Sequence, residues 1–490
     1  MLFNSFAFLV LFSLTFFIYY IPAFRQLQIV ILVSSSLIFY SWDSPPLLVL
    51  LLLSIFINGL TSFKIDSASK HQKITWLLIG LSFNLLILIF FKYGALIANL
   101  FSNNLAESED SIFTFLLRLP LPIGISFYTF EGISLLIDVL RTKPNQEEAS
   151  FVDASFKKHI LKTSFFIAFF PHLIAGPILK ANNFYPQIKP KYLKQIPWDV
   201  VFRSLVIGYF LKMVIADNLK DYTFWIAFPY YQSLSTFTGI VLLFGYSIQI
   251  FADFAGYSLI AIGTAAAFGY TLPQNFNFPY ISRSLSEFWK RWHISLSSWL
   301  KDYLYIPLGG NRKGRLRTYV NLMIVMVLGG LWHGASWSYA VWGAFHGVGL
   351  ILERLFNEQV QTRLNNSLPI WLEFVCELIK IVLIFSFVSI GWLLFKLPDF
   401  GQALDFLNTM SHNLRLPTNQ AVTNPVIIFS VPVIVYHLLN LPIIQTLSKE
   451  YCSKLNLTSW NICRDLAFGG MVAMIILNSG TSNEFIYFQF

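Results

Sequence analysis

The sequence predicts an all-α integral membrane protein, a multi-pass helical bundle of about ten to thirteen membrane segments with re-entrant and amphipathic elements. Three observations predict it. Of the 490 residues 56% are hydrophobic and only 12% charged, with phenylalanine occurring fifty times. Mean hydropathy is +0.61, far above what a water-soluble core of this length requires. Apolar runs of membrane-crossing length, roughly 17 to 25 residues, recur along the whole chain.

In order, the runs are 2–20, 27–42, 45–62, 74–99, 199–216, 235–252, 318–337, 338–352, 376–397, 425–445 and 465–479. The first carries no basic residue ahead of it and no small-residue cleavage site before Arg25, so it reads as a retained helix rather than a removable signal. With no polar stretch long enough to fold separately, 1–490 is expected to be one membrane domain.

Net charge is +9, and its placement matters more than its size. Lys and Arg in short connections mark the cytoplasmic side of a membrane protein. Arg25, then Lys64, Lys70 and Lys73, then Arg141 to Lys162, Arg283 to Arg317, and Lys449 to Arg464 form the basic set. Asp43, the acidic loop with Glu107, Glu109 and Asp110, and the loop Asn419 to Asn424 alternate with them. The alternation puts the N-terminus on the extracytoplasmic side. Orientation and membrane lipid account for the charge, and no nucleic-acid partner is expected.

Two places break the pattern of span and loop. Residues 163–179, TSFFIAFFPHLIAGPIL, are long enough to cross but have basic clusters at both ends. Pro171, Gly176 and Pro177 interrupt the helix, so a re-entrant element is expected, with a kinked helix as the alternative. Residues 280–318 hold eight basic and two acidic side chains. There Trp289, Trp292, Leu296, Leu300 and Tyr303 follow helical spacing while Lys290, Ser297 and Lys301 lie on another face. That is the pattern of an amphipathic helix at the cytoplasmic interface.

Ionisable groups inside apolar segments are costly and therefore functional candidates. His333 lies in GGLWHGASW, 329–337, where glycines allow a close approach. A neutral imidazole there can take a proton from an attacking hydroxyl, and the competing role is a hydrogen bond between helices. His293, beside Trp292, offers the same chemistry from the amphipathic element, with an interfacial histidine as the alternative. Asp253 in YSIQIFADFAGYS needs a partner, one of the histidines or a substrate hydroxyl. Glu131 and Asp138, seven apart, share a helix face. His172 and His346 read as packing or hydrogen-bonding residues. Lys290, Arg291 and the loop GGNRKGR with Asn311, Arg312 and Lys313 form a cradle for the phosphates of a nucleotide or phosphopantetheine, or simply a positive cytoplasmic loop.

Cys376, Cys452 and Cys463 have neither CxxC spacing nor a histidine cluster, so no metal is expected. Serine-hydrolase elbows and zinc-protease helices are missing from the sequence.

The stretch LPQNFNFPYISRSLSEFWKRWHISLSSWLKDYLYIPLGGNRKG, Leu272 to Gly314, followed by LGGLWHGASWSYAVWGAFHG, Leu328 to Gly347, closely resembles the signature of the membrane-bound O-acyltransferase (MBOAT) family. LPIGISFYTF, Leu121 to Phe130, FFPHLIAGPI, Phe169 to Ile178, and YSIQIFADFAGYS, Tyr246 to Ser258, resemble motifs of its alginate O-acetyltransferase branch. Residues 80–350 carry the resemblance. It implies the MBOAT fold, a bacterial inner-membrane location, and acyl transfer from a cytoplasmic thioester, acetyl-CoA or an acyl carrier, toward an extracytoplasmic polysaccharide. A partner acetyltransferase of the SGNH hydrolase-like kind is also implied.

The family's principal histidine falls on His333 and its second on His293, with Asp253, Trp332 and Trp292 as supports. The branch usually has Phe-Asp-Phe-Ser-Gly-Tyr-Ser-Asp where this chain has Ala252, Ala255 and Leu259, so two polar groups are missing. D-alanyl transfer to a cell-wall polymer is the runner-up. A polysaccharide or lipid transporter is the alternative from another class, predicting inverted repeats that the sequence lacks.

Overall fold

The protein is described by a computed structural model, which covers residues 1–102, 122–142, 151–360, 369–397, 399–441, 444, 457–481 and 485–486. The acidic loop with Glu107, Glu109 and Asp110, and Cys452, lie outside the described residues. Cys376 and Cys463 are free thiols. Among the described residues the regular structure is helical throughout, without a strand. The chain divides into two compact units, Met1–Leu205 with Ser258–Pro273, and Val206–Tyr257 with Gln274–Phe490.

In the first unit, α1 (Phe6–Tyr20), α2 (Gln28–Ser41), α3 (Leu47–Ser67) and α4 (Lys70–Ser102) are apolar helices on the expected runs. Ser5 caps the first of them by accepting from the Phe8 N–H. Inside the unit α3 and α4 are tied by a reciprocal amide pair. The Asn84 side chain donates to Asn58 Oδ1 at 2.8 Å and the Asn58 side chain donates to Asn84 Oδ1 at 3.2 Å. Away from water such an exchange satisfies both amides and fixes helix register.

Next come α5 (Ile125–Arg141), α6 (Phe156–Ala168), the single turn α7 (Phe170–Leu173) and the short α8 (Ala181–Phe184). The stretch 163–179 is broken as its prolines require: α6 stops at Ala168, one turn follows, and residues 165–179 are buried. The freed backbone is satisfied locally, with the Phe170 N–H donating to Ser36 Oγ at 3.0 Å. His172 Nε2 meets Glu131 Oε1 at 2.9 Å, both side chains fully buried, and the Leu179 N–H donates to the same oxygen. Asp138, the other acid of that face, accepts from the Asn182 N–H.

Helix α9 (Trp198–Tyr209) continues into a π-helical turn, Phe210–Ala216, and then α10 (Asp217–Thr223). The long α11 (Thr236–Ala267) follows. The element expected as one amphipathic helix is instead two, α12 (Leu285–Arg291) and α13 (Ile294–Leu300), with a π-turn at Lys301–Tyr305. The break falls at His293, which has φ 45 and ψ 54. Helical spacing is preserved across it, so periodicity alone could not reveal it.

The rest of the second unit comprises α14 (Arg315–His333), α15 (Trp337–Val360), α16 (Ile370–Lys396), α17 (Phe400–His412), α18 (Gln420–Leu438) and α19 (Leu457–Leu477).

Six helices among the described residues are long and apolar enough to cross a membrane, with Phe6–Tyr20 as a shorter apolar one. The expectation of about ten to thirteen counted every apolar run. Each run overlaps a helix among the described residues, but α14 and α15 carry glycines, histidines and terminal charges that dilute their apolar length.

Candidate functional site

The second unit brings His293 and His333 together, their ring centroids 6.2 Å apart. His333 is the last residue of α14, 4% exposed, and His293 is fully buried. A glycine contact sets the position of His333. A Cβ on Gly330 would lie 2.2 Å from the Tyr339 carbonyl oxygen, and one on Gly343 would lie 2.3 Å from the Met326 carbonyl oxygen. Only glycines let α14 and α15 approach so closely, and the approach puts Trp342 edge-on to His333 at 5.3 Å. Trp332, at 5.0 Å from His333 and 5.8 Å from His293, and Phe395, at 5.1 Å from His333, enclose the pair.

His293 is held differently. Its left-handed backbone is strained for a non-glycine residue, and the loop before α12 stabilises it. The Ile294 N–H donates to the Asn275 carbonyl oxygen and the Asn277 N–H to the Arg291 carbonyl oxygen, each at 2.9 Å. Asn275 Oδ1 accepts from the Ser295 N–H and hydroxyl and lies 3.2 Å from His293 Nδ1. Phe254 packs edge-on to the ring at 4.6 Å. Burial pushes the His293 imidazole down to about 3, so it is neutral, and its Nε2 has no hydrogen-bond partner among the described residues. Trp292 is fully buried, packed on Phe276 at 5.0 Å and Trp392 at 4.9 Å.

Asp253 pairs with neither histidine. Its Oδ1 lies 2.8 Å from Lys212 Nζ, which also reaches Asp217 Oδ1 at 2.8 Å, and its Oδ2 accepts from the Ile486 N–H at 2.7 Å. Sequence reasoning missed Lys212 and Asp217. A lysine inside the run 199–216 was the available signal, since such a charge demands a partner. The π-turn carries Lys212, and Gly256 lets it approach, for a Cβ there would lie 2.8 Å from the Gly208 carbonyl oxygen.

The predicted phosphate cradle is more dispersed. Lys290, Asn311, Arg312 and Lys313 are exposed. Arg291 is engaged by Glu287 at 2.8 Å and donates to the Asn277 carbonyl oxygen. The loop turns on Gly309, Gly310 and Gly314, at φ 109, 55 and 88, and Asn321 fastens it by donating to the Gly310 carbonyl oxygen. Its side chains sit on the surface rather than beside the histidine pair. No group of three metal-ligating side chains occurs among the described residues.

Residues 34–395 match the model of the membrane-bound O-acyltransferase family. The chain is 37% identical over 405 residues to a probable alginate O-acetylase of Pseudomonas aeruginosa, covering 81% of this chain and 72% of that protein. It is 35% identical over 410 residues to a peptidoglycan O-acetyltransferase of Helicobacter pylori, covering 79% and 74%. A teichoic acid D-alanyltransferase of Bacillus subtilis is 27% identical over 289 residues, covering 56% and 68%.

Proposed function

The chain belongs to the membrane-bound O-acyltransferase family and is an O-acyltransferase, and from that premise we propose that it passes an acetyl group from a cytoplasmic thioester across the bacterial inner membrane toward hydroxyls of an extracytoplasmic polysaccharide. The observation that carries this reading is the pair of buried imidazoles 6.2 Å apart. Membership removes the transporter alternative.

In the proposed reaction His333 takes the proton of an acceptor hydroxyl as its oxygen attacks the thioester carbonyl. The imidazolium so formed stabilises the adjacent oxyanion. The C–O bond forms, the C–S bond breaks, and the proton passes to the departing thiolate. Neutral His293 offers only a lone pair from Nε2, so it orients the hydroxyl by accepting its hydrogen bond. Trp332 and Trp292 keep water out, and Asp253 holds α11 through Lys212. The cations at Lys290, Arg291, Arg312 and Lys313, with Asn311, receive the phosphates of coenzyme A or of an acyl carrier.

The acceptor is reached through an extracytoplasmic SGNH hydrolase-like partner, with the N-terminus on that side. The cores and functional elements are 80–350, the re-entrant 163–179 and the basic 280–318. Similarity to the D-alanyltransferase favours one second reading, transfer of an aminoacyl group from a carrier protein to a cell-wall polymer.

The deciding experiment follows thiol release from acetyl-CoA by purified wild type and His333→Ala, with and without an extracytoplasmic glycan. Thiol release by wild type and not by a folded variant supports acetyl transfer. If wild type ignores acetyl-CoA but discharges a D-alanyl carrier protein, the second reading replaces the first.

A further inference from the structure

The second unit holds a group of buried polar atoms that the proposed acyl transfer leaves unused. The indole Nε1 of Trp289, that of Trp342, and both ring nitrogens of His346 are buried without a hydrogen-bond partner among the described residues. Their rings adjoin one another. His346 lies 5.2 Å from Trp289 and 4.9 Å from Trp342, and the two indoles are 5.7 Å apart. Apolar surface closes the remainder, with Phe288 parallel to the His346 ring at 6.3 Å and Phe387 edge-on at 5.7 Å. A Cβ at Gly391 would come within 3.1 Å of His346 Nε2.

Buried polar atoms are normally paired, and several orphans side by side call for a ligand that pairs them. Two indole N–H groups can donate only, whereas a neutral imidazole donates from one nitrogen and accepts at the other. The complementary ligand has a carbonyl oxygen to take the indole protons and an N–H to offer the imidazole. That is a secondary amide.

The group also lies on a route. Trp289 precedes the exposed Lys290, and Trp342 stands edge-on to His333. Trp289, His346 and Trp342 thus join the charged surface of α12 to the candidate catalytic imidazole by ring contacts alone. We propose that they form a subsite for an amide of the pantetheine arm, the part that coenzyme A and an acyl carrier protein share, and that His346 is a specificity-determining residue for the donor. This inference rests on the thioester reading above.

The test compares three donors on the purified full chain: acetyl-CoA, S-acetyl-N-acetylcysteamine with one amide, and ethyl thioacetate with none. An acetylated carrier protein run in parallel distinguishes the two sources of the arm. His346→Phe should raise KM for the amide-bearing donors about tenfold, the loss of roughly one hydrogen bond, and leave ethyl thioacetate turnover unchanged. His346→Gln, which keeps a donor and an acceptor, should recover part of the loss. An equal effect on all three donors assigns His346 to structure and overturns the proposal, as does no effect on any, which assigns the polar atoms to ordered water. If wild type releases thiol from none of the donors, the thioester reading itself fails, a result distinct from either.

Discussion

Asn275 Oδ1 fixes which nitrogen of His293 carries the proton. That oxygen accepts from the Ser295 N–H at 3.2 Å, a bond in which it can only be an acceptor, so His293 Nδ1, also at 3.2 Å, must donate. Nε2 is left with its lone pair and with no hydrogen-bond partner among the described residues. Asn275→Leu keeps the approximate volume and removes the lock. By analogy with orienting partners of other functional histidines, kcat should fall about 10- to 100-fold with little change in KM. Steady-state kinetics decide it, and an unchanged kcat would remove His293 from the reaction.

Burial of the same ring has a consequence for stability. Its value falls from 6.5 to about 3 on folding, so between those limits the unfolded chain binds a proton that the folded chain refuses. Stability is therefore lost as pH falls through that window and restored above it. The thermal midpoint of wild type should drop between about pH 7 and about pH 5, and drop less in His293→Gln, which has no proton to gain. Parallel profiles for the two proteins would show that the buried imidazole does not govern acid sensitivity.

Much of this arrangement was legible in the residues, and what was missed has a common cause. The apolar runs located the helices because a chain in lipid must satisfy its backbone internally, and GGLWHGASW marked His333 because histidine is rare in such a run. The pairing of Asp253 with Lys212 was hidden because their forty intervening residues include a π-turn, which shifts the helix face on which a lysine emerges. The break at His293 was hidden because the aromatic spacing runs through it unchanged. The environment of His346 was hidden because orphaned ring nitrogens are a property of neighbours contributed by α12 and α16, which no local pattern encodes.

Lys212 lies between two carboxylates away from water, with its side chain 7% exposed and those of Asp217 and Asp253 3% and 5%. Removing the cation alone strands the acids. Lys212→Met should cost about 3–5 kcal/mol, the usual result of breaking a buried charge pair, whereas Lys212→Met with Asp217→Asn and Asp253→Asn should recover most of it. Detergent-resistance melts of the single and triple variants provide the comparison. A triple variant no more stable than the single one would mean that shape, not charge balance, holds this junction.

Gly330 provides the sharpest separation of packing from propensity. Alanine is the better helix former, and where a helical glycine faces open space the exchange should be neutral or favourable. Gly469 is such a position, with nothing within 4 Å of an added Cβ. At Gly330 the same methyl would lie 2.2 Å from the Tyr339 carbonyl oxygen and 3.1 Å from the Gly343 backbone. Backbone atoms cannot rotate aside as a side chain could, so α14 and α15 must part. His333 ends α14 and Trp342 stands on α15, so parting the helices also changes the 5.3 Å contact between their rings. Gly330→Ala should therefore lower both the thermal midpoint and acyl-transfer activity, by about tenfold or more in the latter, while Gly469→Ala leaves both unchanged or raises the midpoint. Should Gly330→Ala retain full activity, the close crossing of α14 and α15 is not what positions the imidazole.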